Sequence, residues 1–424
     1  MKYLTLTLLL MSYAIHAIEA PTLKLATTGF NVSAGWNNIV NAVGYKLYYA
    51  PYPQAQPIAN LDMQSQLDMT ITLPPSSAFY VAVSAYSQNG KESDYSNIEH
   101  FVLKEPTVTN SDSNQQMLIV ITAPSVHDEY YAKHLTKIID FDIQYAKAIM
   151  GKDKVIVLVD KDTLPYFKDK LPANVLLEAE VKDIWMRDFS PVHPTKQIKF
   201  GYDRPQEASI ERSFLDFAAD NGLEFTPGSL QVDGGNVVDN NQSRIILTDM
   251  VLERNPNLSQ SQVVAKLKTE LGASEVAIIP MDEEYLGHSD GMVMFIDANT
   301  VIMNNYDTDP KFKDEVLSAL RTGLPSVKIH EIAGAGYGKQ YGDYASACGI
   351  YVNSVVTYDY IYMPIFGDSV KDVAAVRKVE SLTDKTVVTV DVQNVCFLGG
   401  NTRCLSWQLT GSNAQKLIKA AEKH

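Results

Sequence analysis

Met117-Leu118-Ile119-Val120-Ile121 is an unbroken apolar run, and Val155-Ile156-Val157-Leu158-Val159 repeats its texture. A continuous β-rich run of this length reads as a strand covered on both faces, because a half-buried strand would alternate apolar and polar residues. Between the two runs, from about Glu129 to Met150, Ile138, Phe141, Ile143 and Ala146 fall roughly on one face and predict a helix. Strand, helix and strand recur toward the C-terminus, which closes in a predicted helix around Asn413 to Glu422. Alternation of this kind argues an α/β domain over residues 117–424. No strict short repeat is present, but the coarse βαβ recurrence is compatible with a propeller-like arrangement.

Upstream the texture differs. Residues 104–116 are rich in Thr, Asn, Ser and Asp and read as a linker. Residues 21–103 read as a small all-β sandwich. Trp36 lies in a short strand, and Tyr45, Leu47 and Tyr49 alternate with Lys46 and Tyr48. Phe79-Tyr80-Val81-Ala82-Val83-Ser84-Ala85-Tyr86 forms a longer β run, with a turn signal at Asn89-Gly90. The core Trp, the Tyr-x-Val-x-Val-x-Ala-Tyr run and the Gly-x-Glu-Ser-x-Tyr-Ser tail resemble a fibronectin type III domain, a module that usually serves as a spacer or adhesion surface. Residues 1–20 read as an export signal: Lys2, then the apolar run Leu4 to Met11, then Ala14, Ala17 and Ala20. That run is too short to anchor in a bilayer. The expectation is an exported protein, periplasmic or secreted, and not membrane-embedded.

The composition is that of a globular protein: 46% hydrophobic and 20% charged, with a net charge of −14. No Lys/Arg run offers a phosphate footprint, which argues against a nucleic-acid partner. Three cysteines, Cys348, Cys396 and Cys404, leave at least one thiol unpaired in an oxidising compartment. One disulfide plus a buried free Cys is the plain reading; a nucleophilic leftover thiol is the sharper one.

Four segments stand out by residue type: Trp185-Met186-Arg187-Asp188-Phe189-Ser190-Pro191, Val232-Asp233-Gly234-Gly235-Asn236, Gly287-His288-Ser289-Asp290-Gly291, and Gly399-Gly400-Asn401-Thr402-Arg403-Cys404. If the third is extended, His288 and Asp290 leave one face of a strand together. That suits proton transfer better than metal binding, since His127, His134, His193 and His330 show no metal-ligand spacing. Cys404 follows two glycines, which allow tight turns, and an exposed loop beside Arg403 would favour the thiolate. Each motif alone has a bland reading: a structural His, a core Trp, a surface Arg–Asp pair, a strand-end turn, a buried Cys. Their joint occurrence in this order is specific.

In that order they resemble the agmatine deiminase and bacterial peptidylarginine deiminase family of guanidine-modifying enzymes. Gly349-Ile350-Tyr351-Val352-Asn353-Ser354 and Pro364-Ile365-Phe366-Gly367-Asp368 add to the likeness. The resemblance implies a five-bladed α/β propeller, pentein-like, with the site at its centre. It implies that Asp188 and Asp290 grip the guanidinium edge, that Cys404 attacks the central carbon, and that His288 moves the protons. Trp185 would pack on the substrate's aliphatic stem, and Asn353 matches a polar site position. No metal or organic cofactor is required. Ser190, Leu398 and Arg403 depart from the commoner Gly, Gly and His of the pattern.

The far end of the substrate is read from Tyr202-Asp203-Arg204-Pro205-Gln206, which resembles the carboxylate-holding segment of the peptidylarginine enzymes, with Gln206 in place of a second Arg. Arg204 as a plain surface residue is an equal alternative. The leading expectation is an exported deiminase converting arginine in peptides or proteins to citrulline and ammonia. The alternative is agmatine deiminase, giving N-carbamoylputrescine and ammonia, with Asp203 or Asp233 holding the amine. An adhesin or binding protein is the non-enzyme alternative, with a protein or surface partner met through the fibronectin-like module.

Overall fold

The computed structural model describes residues 18–28, 31–73, 77–103, 116–202, 208–282, 287–334, 340–341 and 344–423. The leader reading falls almost wholly outside these residues, as do most of the linker and the segment around Arg204. The chain divides into two compact units between Asp112 and Ser113.

The first unit is all β. Strands Leu23–Thr28, Asn31–Trp36 and Asp68–Thr72 form a three-stranded antiparallel sheet. Strands Ala59–Gln64, Gly44–Pro51, Ala78–Tyr86 and Glu99–Val102 form a four-stranded one, in that spatial order. Tyr45 pairs Ala85 and Leu47 pairs Val83, so the alternating apolar residues of both strands share a face. They meet Leu23, Val32 and Trp36 of the other sheet in a single core.

In the second unit the described residues form five sheets and a short hairpin, Gln340–Tyr341 with Tyr344–Ala345. The first sheet has the order Leu176–Glu178, Lys154–Val159, Leu118–Thr122, Trp407–Leu409. Its first three strands run parallel, and Trp407–Leu409 joins antiparallel, pairing the last strand of this unit with its first, Leu118–Thr122. The crossover helix is Leu135–Ile149, shorter at its start than the expected Glu129. Residues ahead of it make turns instead, because Tyr131 is buried with its hydroxyl donating to Asp183 Oδ1 at 2.7 Å. The second sheet pairs Ile198–Gly201 with Thr226–Gln231 around helix Ala208–Asp220.

Three further sheets share one recipe: a short antiparallel strand, a central strand, a helix, and a parallel strand. They are Val238–Asp239, Arg244–Thr248 and Glu275–Ile279 with helix Gln260–Leu271; Val293–Phe295, Thr300–Asn304 and Lys328–Ile332 with helix Pro310–Gly323; and Val355–Val356, Tyr360–Ile365 and Thr386–Asp391 with helix Ser369–Glu380. The central strand is covered on both faces over its middle, so residues 245–247, 301–303 and 361–363 read as continuous apolar runs.

This recipe positions the site. Gly234–Asn236 turns into Val238–Asp239, and Ser289–Gly291 into Val293–Phe295. Asn353 leads into Val355–Val356, and Cys404 into Trp407–Leu409. The Met186–Phe189 turn leads into the Val192–Ile198 bridge beside the second sheet. Each motif is the irregular stretch before a short antiparallel partner.

Candidate active site

Two irregular segments hold the sulfur. Asn401 donates its amide to the carbonyls of Ala347 at 2.9 Å and Ile350 at 3.2 Å. Thr402 Oγ1 donates to the Asn353 carbonyl at 2.9 Å. Asn353 in turn faces Cys404: its Nδ2 lies 3.1 Å from Sγ, and its Oδ1 accepts from the Cys404 N–H at 3.3 Å. The same Nδ2 donates to the Asp290 carbonyl at 3.1 Å, tying the Cys loop to the His-x-Asp segment. Gly400 is required by space, since a Cβ there would lie 2.4 Å from the Trp185 ring and 2.7 Å from Cys404 Cβ.

The imidazole is built from the other motifs. Asn236 Oδ1 accepts from the N–H and hydroxyl of Thr248, both at 2.9 Å, and from the Ser289 N–H at 3.1 Å. This fixes the turn that presents His288. The segment is not an extended strand as expected: His288 is extended, but Ser289–Gly291 is a tight helical turn. His288 Nε2 is 3.2 Å from Asp233 Oδ2, and Nδ1 is 3.5 Å from Asp188 Oδ1, within reach as charge but long for a hydrogen bond. Gly235 makes the approach possible, because a Cβ there would lie 2.5 Å from Asp188 Oδ1 and 2.6 Å from His288 Nδ1.

These charges are buried together. Burial pulls the His288 pKa down, but Asp188, Asp233 and Asp290 outweigh it and lift the imidazolium to about 9. Burial pushes the Cys404 thiol well up, and the carboxylates of Asp290 and Asp188 push the same way. The thiol reaches toward Asp290 Oδ2 at 3.7 Å. Burial also raises the Asp290 carboxyl, opposed first by Arg403, whose Nε is 3.7 Å away. The expected exposed, thiolate-favouring loop is therefore corrected. Cys404 is 7% exposed, and the Arg403 charge is directed to Asp290 while its Nη2 donates to the Val237 carbonyl at 2.7 Å. Arg187, also buried, donates to Gln408 Oε1 at 2.9 Å; burial and then Arg403 lower its pKa to about 9.

A small pocket is lined by His288, Asp290, Asn353, Cys404, Asp282 and Met292, with Ala345, Ala347, Ile350 and the glycines as apolar wall. Cys404, His288, Asp290 and Asn353 thus converge as the motifs suggested. Asp188 sits behind them against His288. Asp233 does not line this pocket: it faces His288, with Arg254 Nη2 3.9 Å away, so its expected place at the substrate amine is corrected to a place at the imidazole. Trp185 is half-buried with its ring against Gly400. Arg204 and Asp203 lie outside the described residues. Sequence reasoning gave no role to Asn236, Asn401 or Asp282; the first two stand inside quoted motifs, whereas nothing marked Asp282. Cys348 and Cys396 are disulfide-bonded and Cys404 is the free thiol. Among the described residues no group of three or more His, Cys, Asp or Glu could hold a metal ion.

A buried thiol, an imidazolium and carboxylates around one pocket suit attack on a planar cation, and residues 109–409 match the model of the Porphyromonas-type peptidyl-arginine deiminases. The chain belongs to this family. It is similar to an agmatine deiminase of Medicago truncatula, 25% identical over 320 residues that span 62% of this chain and 86% of the relative. Its fold is that of solved agmatine deiminases from C. jejuni and Enterococcus faecalis. The first has a TM-score of 0.59 at 18% identity, covering 70% of this chain and 94% of that one. The second has 0.57 at 19%, covering 69% and 93%. The protein is a deiminase, a hydrolase of amidine C–N bonds, on a mixed α/β fold.

Proposed function

We propose that the substrate is a small cationic guanidine with a second positive group, agmatine being the type, converted to N-carbamoylputrescine and ammonia. One observation carries this reading. The described residues lining the pocket include the carboxylates of Asp282 and Asp290 but no Lys or Arg, so among them a second cationic group finds acceptors. The names of the relatives agree.

The geometry supports a route. A guanidinium entering between Asp188 and Asp290 takes the Asp290 oxygen toward which the thiol reaches. The thiol thereby loses its acceptor and gains a cationic neighbour, both of which favour loss of its proton to solvent. Cys404 then adds to the guanidinium carbon. His288, protonated at neutral pH, donates its proton to the departing nitrogen, and ammonia leaves. The neutral imidazole next takes a proton from water, which attacks the amidino-thioether carbon. Collapse expels the Cys404 thiolate and frees the ureido product. Asp233 keeps His288 oriented and charged through the first half.

Arginine in peptides or proteins is the second reading, favoured by the description of the matching family and by Arg204. Ammonia release from agmatine, free arginine, and peptides with internal or C-terminal arginine decides between them. Agmatine should give the highest kcat/KM. A C-terminal-arginine peptide outperforming it, with that advantage lost in Arg204→Ala, would overturn the agmatine reading. We further infer that the five sheets form a five-bladed propeller, since the C-terminal strand pairs with the opening one as a ring closure would require. We read the N-terminal unit as a fibronectin-like spacer. We also read the protein as exported, for which the leader-like residues 1–20 and the disulfide both speak.

A further inference from the structure

The pocket wall contains a covalent bond that the reaction does not use. Cys348 and Cys396, Cα atoms 4.8 Å apart, join the two segments that supply Asn353 and Cys404. Between these residues and the nucleophile both segments are irregular backbone, with only the Cys396–Leu398 helical turn. They contribute Ala347 and Ile350 from one side and Gly399, Gly400 and Cys404 from the other to the same pocket. What joins them otherwise is a file of hydrogen bonds. The Ala347 N–H donates to the Cys396 carbonyl at 2.9 Å, Asn401 bonds the Ala347 and Ile350 carbonyls, and Thr402 and Cys404 bond Asn353. No strand ladder links them, so the disulfide is the one bond in the file that water cannot exchange for its own.

We propose that the Cys348–Cys396 disulfide positions Cys404 against Asn353, giving one pocket two opposite redox demands: this pair stays oxidised while the nucleophile stays a thiol. The proposal rests on Cys404 being the nucleophile. In the reduction a dithiol supplies two electrons and two protons. The S–S bond breaks, Cys348 and Cys396 become thiols, and the reductant closes to its cyclic disulfide. Cys348 is half-buried and Cys396 is 2% exposed, so the reductant enters at Cys348. The reductant customarily added to protect a catalytic thiol therefore slows this enzyme.

The test uses full-length protein, wild type with and without dithiothreitol, and the Cys348→Ala/Cys396→Ala variant. Two readouts are taken on agmatine-competent enzyme: kcat and KM, and the ratio of Cys404 alkylation rates by 2-chloroacetamidine, a cation that needs the assembled pocket, and iodoacetamide, which needs only an accessible thiol. Reduced wild type and variant should both lose about ten- to a hundredfold in kcat, the scale on which small misplacement of reacting groups acts. KM should move less, because Asp188 and Asp290 lie on neither tied segment, and the alkylation ratio should fall with kcat. Unchanged kcat and ratio in reduced wild type, with the two thiols titrated, would overturn the proposal whether or not the variant folds. Oxidised wild type that turns over no guanidine would overturn the nucleophile reading instead, and this proposal with it.

Discussion

In the N-terminal unit the charged pair Lys46–Glu92 sits at the sheet surface with its side chains 33% and 30% exposed, whereas in the catalytic unit Arg187, Asp188, Asp233, His288, Asp290 and Arg403 are each between 1% and 8% exposed. The first arrangement needs no scaffold, because water solvates both partners and screens their attraction. The second removes six ionisable groups from water, which costs folding free energy unless each charge is matched and hydrogen-bonded. The catalytic unit offsets this with sheets whose central strands bury apolar residues on both faces, at 245–247, 301–303 and 361–363 among others, and it gains a site whose proton affinities differ from those in water. The difference separates the units: one gathers six buried ionisable groups around Cys404, and the other leaves its charged pair to water.

Removing the sulfur should have the largest effect. Cys404→Ala is expected to fold normally, bind the guanidine and release no ammonia, because no other thiol is free. Most of the wild-type rate surviving in this variant would refute covalent catalysis. Gly235→Ala comes next. The new methyl would lie 2.5 Å from Asp188 Oδ1 and 2.6 Å from His288 Nδ1, forcing the pair apart. Overpacking of this kind costs about 1–3 kcal/mol of stability, and misplacing a reacting group costs up to about a hundredfold in rate, so kcat should fall roughly ten- to a hundredfold. A Gly235→Ala enzyme with wild-type kcat would mean that the Asp188–His288 approach does not matter to turnover.

A smaller effect, and a directional one, is expected from Asp233→Asn. The imidazolium is held at about 9, above the ordinary 6.5, so its carboxylate partners stabilise the folded protein fully below pH 6.5 and progressively less as pH rises through 9. Losing one partner lowers that pKa. The alkaline limb of kcat should shift toward neutral pH, and the loss of stability between pH 6.5 and 9 should be shallower than in wild type. NMR titration of the His288 ring tests the cause; an unshifted ring pKa would remove Asp233 from the account.

The strand–helix–strand order of the catalytic unit was legible because buried parallel strands carry apolar residues on both faces, as residues 118–121 and 155–159 do. The thiol, imidazole and carboxylates gathered at the pocket were legible as residue types in order. The modular plan showed only as a coarse βαβ recurrence: the motifs that precede the short antiparallel strands differ, so the repeat lies in backbone topology and leaves no repeated residues. The environment of Cys404 was not legible. An adjacent Arg suggested a favoured thiolate, but Arg403 turns its charge onto Asp290, and direction of this kind is set by tertiary packing. Asp233 was misplaced for a similar reason, since a carboxylate's partner across 55 residues of chain is a matter of fold.

The smallest expected effect bears on the comparison itself. The two units divide between Asp112 and Ser113, and every residue named at the site belongs to the second. The N-terminal unit closes a core of its own from residues of both its sheets. A protein beginning at Ser113 should therefore keep kcat/KM on a small guanidine within about twofold, less than half a kilocalorie per mole of barrier. Its thermal unfolding should lose only the transition that belongs to the β unit. A tenfold fall in kcat/KM in a well-folded truncation would show that the β unit shapes the pocket, and the contrast between a solvated unit and a catalytic one would no longer hold. Unchanged activity on agmatine with reduced action on large arginine-bearing proteins would sharpen it, assigning chemistry to one unit and encounter to the other.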